Sequence, residues 1–329
     1  MRIITSFFLL FLIAIDLSSQ DKLQVVTSAS MIADMAEEII GDLHEVEMIV
    51  PIGGDPHLHE PTPSNARLVA SADLISINGL TFEGWINELI ENSGTSAEVV
   101  TVTDGIKPLT SQTYANSADP HAWMDVSLAM TYAENIATAM SKLDPDNASQ
   151  YRNHLSSYHQ QLRALDQEIK EAISSIPAHK RILITSHDAF QYYGSRYGIQ
   201  LEAIMGISTE AEAQTSDIRR VNSVIKESKV PAIFVESTIN PKLIKQIATD
   251  NKVSIGGELY ADSLGDDQSP ASTYIDMMRY NTTTIVTALT RELEDIIPEE
   301  GEGISWVLIL VLAGVLIGGI GLTAYMMNR

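Results

Sequence analysis

The sequence runs to 329 residues, long enough for two domains of moderate size, and 45% of them are hydrophobic, enough to build real cores. A formal net charge of −22, from 21 basic and 43 acidic residues, argues against nucleic acid as a partner. With no cysteine in the chain, disulfides, thiolate metal sites, cysteine nucleophiles and a lipid-modified cysteine anchor are excluded, so any metal site is built from His, Asp and Glu.

The N-terminus reads as a secretory signal. Arg2 supplies the positive charge, and residues 7–15 form an apolar run too short to span a membrane. Ser18 and Ser19 follow, then the polar Gln20-Asp21-Lys22. Cleavage is expected near residue 19 or 20, which makes 1–20 a signal peptide.

The exported body, 21–297, alternates strand-like and helical segments. Short runs rich in Val and Ile stand at 23–27, 45–50, 74–77, 99–102, 181–185, 232–235 and 253–255. Helical stretches such as 30–40, 65–70, 85–92 and 216–227 lie between them, and Thr215-Ser216-Asp217 resembles an N-cap. This order predicts βαβ units, hence an α/β fold with mostly parallel sheets flanked by helices.

One segment breaks the rhythm. Between 146 and 176, Tyr151, Leu155, Tyr158, Leu162, Leu165, Ile169 and Ile173 recur every three or four residues, one apolar stripe of a helix. Asp144-Pro145-Asp146 opens it and Pro177 ends it. At ~1.5 Å per residue it is ~45 Å long. The expected division is an N-terminal α/β lobe at 21–145, a linking helix at 146–177 and a C-terminal α/β lobe at 178–297. A single stiff helix between two lobes restricts large hinge closure.

The chain then changes character. Residues 298–303, Pro298-Glu299-Glu300-Gly301-Glu302-Gly303, are an acidic linker. Residues 304–325 carry no charge and span ~33 Å as a helix, about one hydrocarbon core. Trp306 and Tyr325 stand near the two ends, and Arg329 follows. Acidic residues before the span and a basic one after it orient the body outward. A C-terminal transmembrane anchor is expected, in place of the missing lipidated cysteine. The spacing Gly314-x-x-x-Gly318 suits helix packing but is common in any such segment.

The histidines separate by context. His154 and His159 fall on the long helix and are expected to be solvated, and His44 and His179 sit in polar turns before strands. His57, His121 and His187 each lie beyond the carboxyl end of a predicted strand, where open α/β sheets hold their ligands. Asp262 stands in the same kind of place. Two of the four come from each lobe. Three imidazoles and a carboxylate suit a divalent transition metal, although histidines after strands also occur without one. His59 competes with His57, but two residues apart in an extended loop their side chains point in opposite directions. Glu236, at a strand end, is either an acceptor that orients an imidazole or a carboxylate that caps a helix or lines the cleft. Trp123 and Phe190 are expected to wall the cleft and exclude water.

These residues also carry a resemblance. Pro56-His57 with Glu60-Pro61-Thr62-Pro63, Asp119-Pro120-His121-Ala122-Trp123-Met124-Asp125 and Ser186-His187-Asp188-Ala189-Phe190 with Tyr193-Gly194 resemble the zinc- and manganese-binding solute-binding proteins of ABC transporters. So do Gly206-Ile207-Ser208, Glu236-Ser237-Thr238 and Tyr260-Ala261-Asp262-Ser263-Leu264-Gly265. The resemblance covers about residues 23–292, with the motifs in family order. It implies two α/β lobes bridged by a rigid helix, with His57, His121, His187 and Asp262 as the metal ligands. It also implies a receptor that hands Zn2+ or Mn2+ to a separate permease and ATPase.

Two signs bear on the ion. Three imidazoles favour zinc, which also stands above manganese in the Irving–Williams order. Against this, the loop 104–119 lacks the histidine-rich stretch of many zinc-directed members. Zinc leads, manganese follows closely, and iron is third. Other function classes fare worse. Four protein ligands close the coordination shell, and the chain has no His-Glu-x-x-His, Gly-x-Ser-x-Gly or phosphate-binding glycine loop, which disfavours a zinc metallohydrolase. A surface adhesin or structural protein with a metal site remains a secondary reading, since the tether permits it. Neutral imidazoles are needed for binding, so affinity is expected to fall as pH drops through about 6.5.

Overall fold

The computed structural model describes residues 22–110, 117–210 and 212–291. The expected signal peptide at 1–20, linker at 298–303 and anchor at 304–325 lie outside the described residues. Among the described residues no helix is long and apolar enough to cross a membrane.

In the N-terminal half, four strands form one parallel sheet in the order β2-β1-β3-β4. They are β1 (Gln24–Thr27), β2 (Glu45–Met48), β3 (Leu74–Ile77) and β4 (Glu98–Thr101). Between them run α1 (Ser30–Ile40), α2 (Pro63–Ala70) and α3 (Ile86–Ser93). In α1 the pairs Met31/Ile32, Met35/Ala36 and Ile39/Ile40 recur every four residues, and all are buried. Gly41, at φ 59, stops the helix. In α2, Pro63 occupies the first turn, and Thr62 and Asn65 cap each other.

Two long helices follow. The first, α4 (Val126–Leu143), is capped by Asp125, whose carboxylate accepts the N–H of Ser127 at 2.8 Å. The second, α5 (Ala148–Ser174), is the predicted long helix, and a 3-10 turn over Pro145–Asn147 takes up its expected first residues. Its stripe is buried at every predicted position except Leu155, which is half-buried. This helix packs on α1 and α4 on one side and on helices of the C-terminal half on the other.

The C-terminal half contains β5 (Ile182–Thr185), α6 (Gln191–Tyr197), β6 (Gln200–Ala203), α7 (Thr215–Ser228), β7 (Ala232–Glu236), α8 (Lys242–Asn251), β8 (Ser254–Leu259) and α9 (Tyr274–Thr290). Its strands form two parallel pairs, β5-β6 and β7-β8, with β5 lying beside β7. The expected run 253–255 continues to Leu259 across a register shift at Ile233/Phe234. Gly256 sits there because a Cβ would meet Phe234 and Ala288. Helix α7 begins at Thr215 rather than being capped by it, and Asp217 reaches back to accept the N–H of Gln214 at 3.1 Å.

One apolar core joins the halves. It runs from Met31 and Ile39 on α1, through Tyr158, Leu165 and Ile169 on α5, to Phe190, Phe234 and Met278. Burying such side chains contributes roughly 1.5–3 kcal/mol each, so the halves are joined by packing as well as by chain. Asp166 on α5 adds a polar tie, accepting Arg196 of α6 at 2.8 and 3.0 Å.

Candidate metal centre

The four predicted ligands converge. One ligand atom from each of His57, His121, His187 and Asp262 lies within 4.8 Å of the others, and all four residues are buried. Each stands past the carboxyl end of a strand: His57 after β2, His121 after β4, His187 after β5 and Asp262 after β8. The two strand sets therefore face each other through their loops, the position expected of a ligand crevice in a parallel α/β fold.

The imidazoles present their Nε2 atoms to one point. Nε2 of His57 and of His121 are 3.3 Å apart. Asp262 Oδ1 is 3.4 Å from His121 Nε2, and its Oδ2 is 3.0 Å from His187 Nε2 and 3.9 Å from His57 Nε2. Four ligands at about 2.0–2.1 Å around a tetrahedral zinc are about 3.3–3.4 Å from one another. The observed separations scatter around that edge.

Each Nδ1 on two of the rings is held from behind. Asp119 Oδ1 is 2.7 Å from His121 Nδ1 and also accepts the His121 backbone N–H at 3.0 Å. Glu236 Oε2 lies 2.6 Å from His187 Nδ1, while its Oε1 accepts the N–H groups of Ser186 and His187 at 2.8 and 2.9 Å. A carboxylate at Nδ1 fixes the tautomer that leaves the Nε2 lone pair for a metal. Of the two readings open for Glu236, the structure thus has the one that orients an imidazole. Asp119 was legible only as part of a motif. Its signal is a repeat: in both Asp55-Pro56-His57 and Asp119-Pro120-His121 the aspartate accepts the N–H of the histidine two residues on.

Electrostatics follow from this packing. Burial pushes His57 down to about 3, so it is neutral at physiological pH. Burial works the same way on His121, but Asp119 and Asp262 outweigh it and carry the ring up to about 9. His187 is likewise held well above the usual imidazole range by Glu236 and Asp262, against its burial. Asp262, though buried, is kept well below the carboxylate range by His187 and His121. A divalent ion held by these four groups would have to replace the protons on the imidazoles.

Aromatic groups close the site. Phe82 meets His57 edge-on at 4.9 Å and Trp123 at 4.8 Å, and Trp123 meets His121 at 5.3 Å. Trp123 and Phe190 are both fully buried; Trp123 lies against His121, whereas the ring contact of Phe190 is with Tyr193. Trp123 also donates its indole N–H to the carbonyl of Ala261, beside the ligand Asp262, at 3.1 Å.

The other histidines lie elsewhere. His59 packs on Trp85 and contacts Asn65 Oδ1 at 3.3 Å, away from the ligand group. His44 is buried against Asp144 at 2.9 Å, and His179 is exposed. His154 and His159 are half-buried rather than solvated: their ring nitrogens lie 2.9 Å from the Ile39 carbonyl and 3.0 Å from the Met130 carbonyl. Both rings lie on the side of the helix that faces α1 and α4 and bridge to those neighbours.

Residues 25–288 match the family model described as zinc-uptake complex component A, periplasmic. The manganese-binding lipoprotein MntA of Halalkalibacterium halodurans is 38% identical over 269 residues, covering 82% of this chain and 89% of that one. The manganese transporter lipoprotein PsaA of Streptococcus pneumoniae is 34% identical over 282 residues, covering 83% and 91%. Among solved structures, the periplasmic zinc-binding protein TroA of Treponema pallidum superposes with a TM-score of 0.78 at 34% identity, over 82% of this chain and 100% of that one.

Proposed function

Since the chain belongs to the periplasmic zinc-uptake component A family, we propose that it captures Zn2+ or Mn2+ outside the cell at His57, His121, His187 and Asp262 and delivers the ion to an ABC importer. The observation that carries this reading is the convergence of three Nε2 atoms and one carboxylate within 4.8 Å in a buried crevice. Four protein ligands would fill a tetrahedral shell, which suits capture and release rather than hydrolysis. The manganese and zinc relatives leave both ions open at the family level. Three imidazoles favour zinc, and zinc is the cargo we assign.

Two further parts of the reading rest on the sequence. The division at 21–145, 146–177 and 178–297 makes α5 a stiff strut, so the ion is gripped by local movements of the loops rather than by wide hinge closure. Residues 304–325 anchor the body to the membrane, in the role that the lipidated cysteine has in the lipoproteins. Tethering raises the effective concentration of the receptor at its permease.

The test is calorimetry on the metal-stripped full chain in detergent, titrated with zinc and manganese at neutral pH. One tight site is expected, with zinc the stronger ligand, and His121→Ala is expected to weaken it by more than about 100-fold. Absence of a tight site for either ion sinks the receptor reading.

A further inference from the structure

Of the four proposed ligands, His57 is the one carried by an exposed loop. His187 and Asp262 follow β5 and β8 almost directly, and His121 is backed by the buried 3-10 turn Ala122–Met124. His57 instead rides the loop after β2, nine residues past Met48, whose outer face carries Ile52, 39% exposed, and Leu58, 52% exposed. His57 itself is 6% exposed, against 0–1% for the other three. This loop is the outer wall of the site.

Two hydrogen bonds hold that wall to the opposite half of the molecule. The hydroxyl of Thr209 donates to Asp55 Oδ2 at 2.7 Å, while Asp55 Oδ1 accepts the N–H of His57 at 2.9 Å. One carboxylate therefore joins the ligand's own backbone to the far side of the crevice. The N–H of Gly53 donates to Ser263 Oγ at 2.7 Å, and Ser263 adjoins the ligand Asp262. Gly53 has φ 79, a left-handed conformation that favours glycine, so this donor is aimed by the backbone itself. Neither Thr209 nor Ser263 is a ligand, and both partners lie on the loop that carries one.

We propose that Asp55–Thr209 and Gly53–Ser263 form a latch across the crevice that positions His57 and sets how fast the bound ion leaves. The proposal rests on the receptor reading above. An ion held by four ligands escapes only after one of them swings away, and His57, the most exposed of the four, is the one the latch bonds restrain. Each latch bond must break for that swing. A single hydrogen bond of this kind corresponds to about a five- to tenfold change in rate.

The test uses the zinc-loaded full chain in detergent, mixed rapidly with an excess of a chromogenic chelator. Thr209→Val, which removes the hydroxyl and keeps the shape, is expected to release zinc about five- to tenfold faster than wild type. Thr209→Ser, which restores the hydroxyl, is expected to return the wild-type rate. The metal-free forms of all three are expected to melt together, a result that a merely structural role for Thr209 would not give. Release from Thr209→Val within about twofold of wild type overturns the latch while leaving the receptor reading intact. A wild-type chain that takes up no zinc overturns the receptor reading and the latch with it. Should Thr209→Val fail to fold, Ser263→Ala puts the same question to the second bond, and an unchanged release rate there overturns the proposal.

Discussion

Glu236 supports His187 twice over: its Oε2 lies 2.6 Å from the ring Nδ1, and its Oε1 accepts the residue's own backbone N–H at 2.9 Å. The same carboxylate therefore sets both where the ring hangs and which nitrogen carries its proton. Glu236→Gln separates the two roles. The amide oxygen still accepts the backbone N–H, but the amide NH2 then faces Nδ1, makes it an acceptor and leaves the proton on Nε2. Metal affinity is expected to fall about 10–100-fold with the fold kept. Titration of zinc into the variant, beside its circular dichroism, checks this; unchanged affinity would falsify the orienting role.

Proton release accompanies binding. His121 sits at about 9 in the metal-free site, because Asp119 and Asp262 outweigh its burial. A raised value means the ring holds its proton at neutral pH and gives it up to the ion. Apparent affinity is then expected to climb with pH up to about 9, beyond the 6.5 of a free imidazole. Calorimetry at pH 7 in two buffers of different ionisation enthalpy reads this directly. At least about one proton per ion is expected, and equal heats in both buffers would contradict it.

Asp144 clasps the start of α5 to the edge of the N-terminal sheet. Its Oδ2 accepts Tyr151, Asn147 and His44 at 2.6, 2.7 and 2.9 Å, while Nδ1 of His44 accepts the N–H of Leu23. Burial opposes ionisation here, but these donors outweigh it and hold the carboxyl down at about 2. A folded value below the ordinary one, about 3.9, gives stability that is complete above about pH 4 and lost as pH falls toward 2. Asp144→Asn is expected to lower the melting temperature at pH 7, and the gap to wild type should close between pH 4 and 2. A gap that stays constant across that range would show that the ionised carboxylate contributes nothing.

The anchor has a direct cellular check. The full chain is expected in the membrane fraction, and a chain ended after Glu300 in the soluble exported fraction. Recovery of both in the soluble fraction would remove 304–325 as an anchor.

Local pattern made much of the fold legible. The strands at 74–77 and the helix at 30–40 need no tertiary information, because a Val/Ile run or a four-residue apolar period already selects the backbone. Strand β6 escaped notice because Gln200-Leu201-Glu202-Ala203 has no β-branched residue; it is a strand because β5 offers a ladder beside it. The glycine pair at 256 and 257 looked like a strand end for the opposite reason. Only the approach of Ala288 on α9 turns it into a bulge inside β8.

For the site, the sequence by itself limited the ligand types and offered the candidates. In a chain without cysteine, histidines and an aspartate just past strand ends made His57, His121, His187 and Asp262 candidates, and the family motifs around them singled out the set. Tertiary structure decided the rest. It set the 3.3 Å between two imidazole nitrogens, the place of His59 against Trp85 and Asn65, and the carboxylates that raise His121 and His187 above the usual imidazole range. It also brought Thr209 to Asp55 and Ser263 to Gly53 across the crevice. The physical reason is that spacing along a chain constrains only near neighbours, whereas coordination, burial and charge depend on which distant residues the shared core draws into contact.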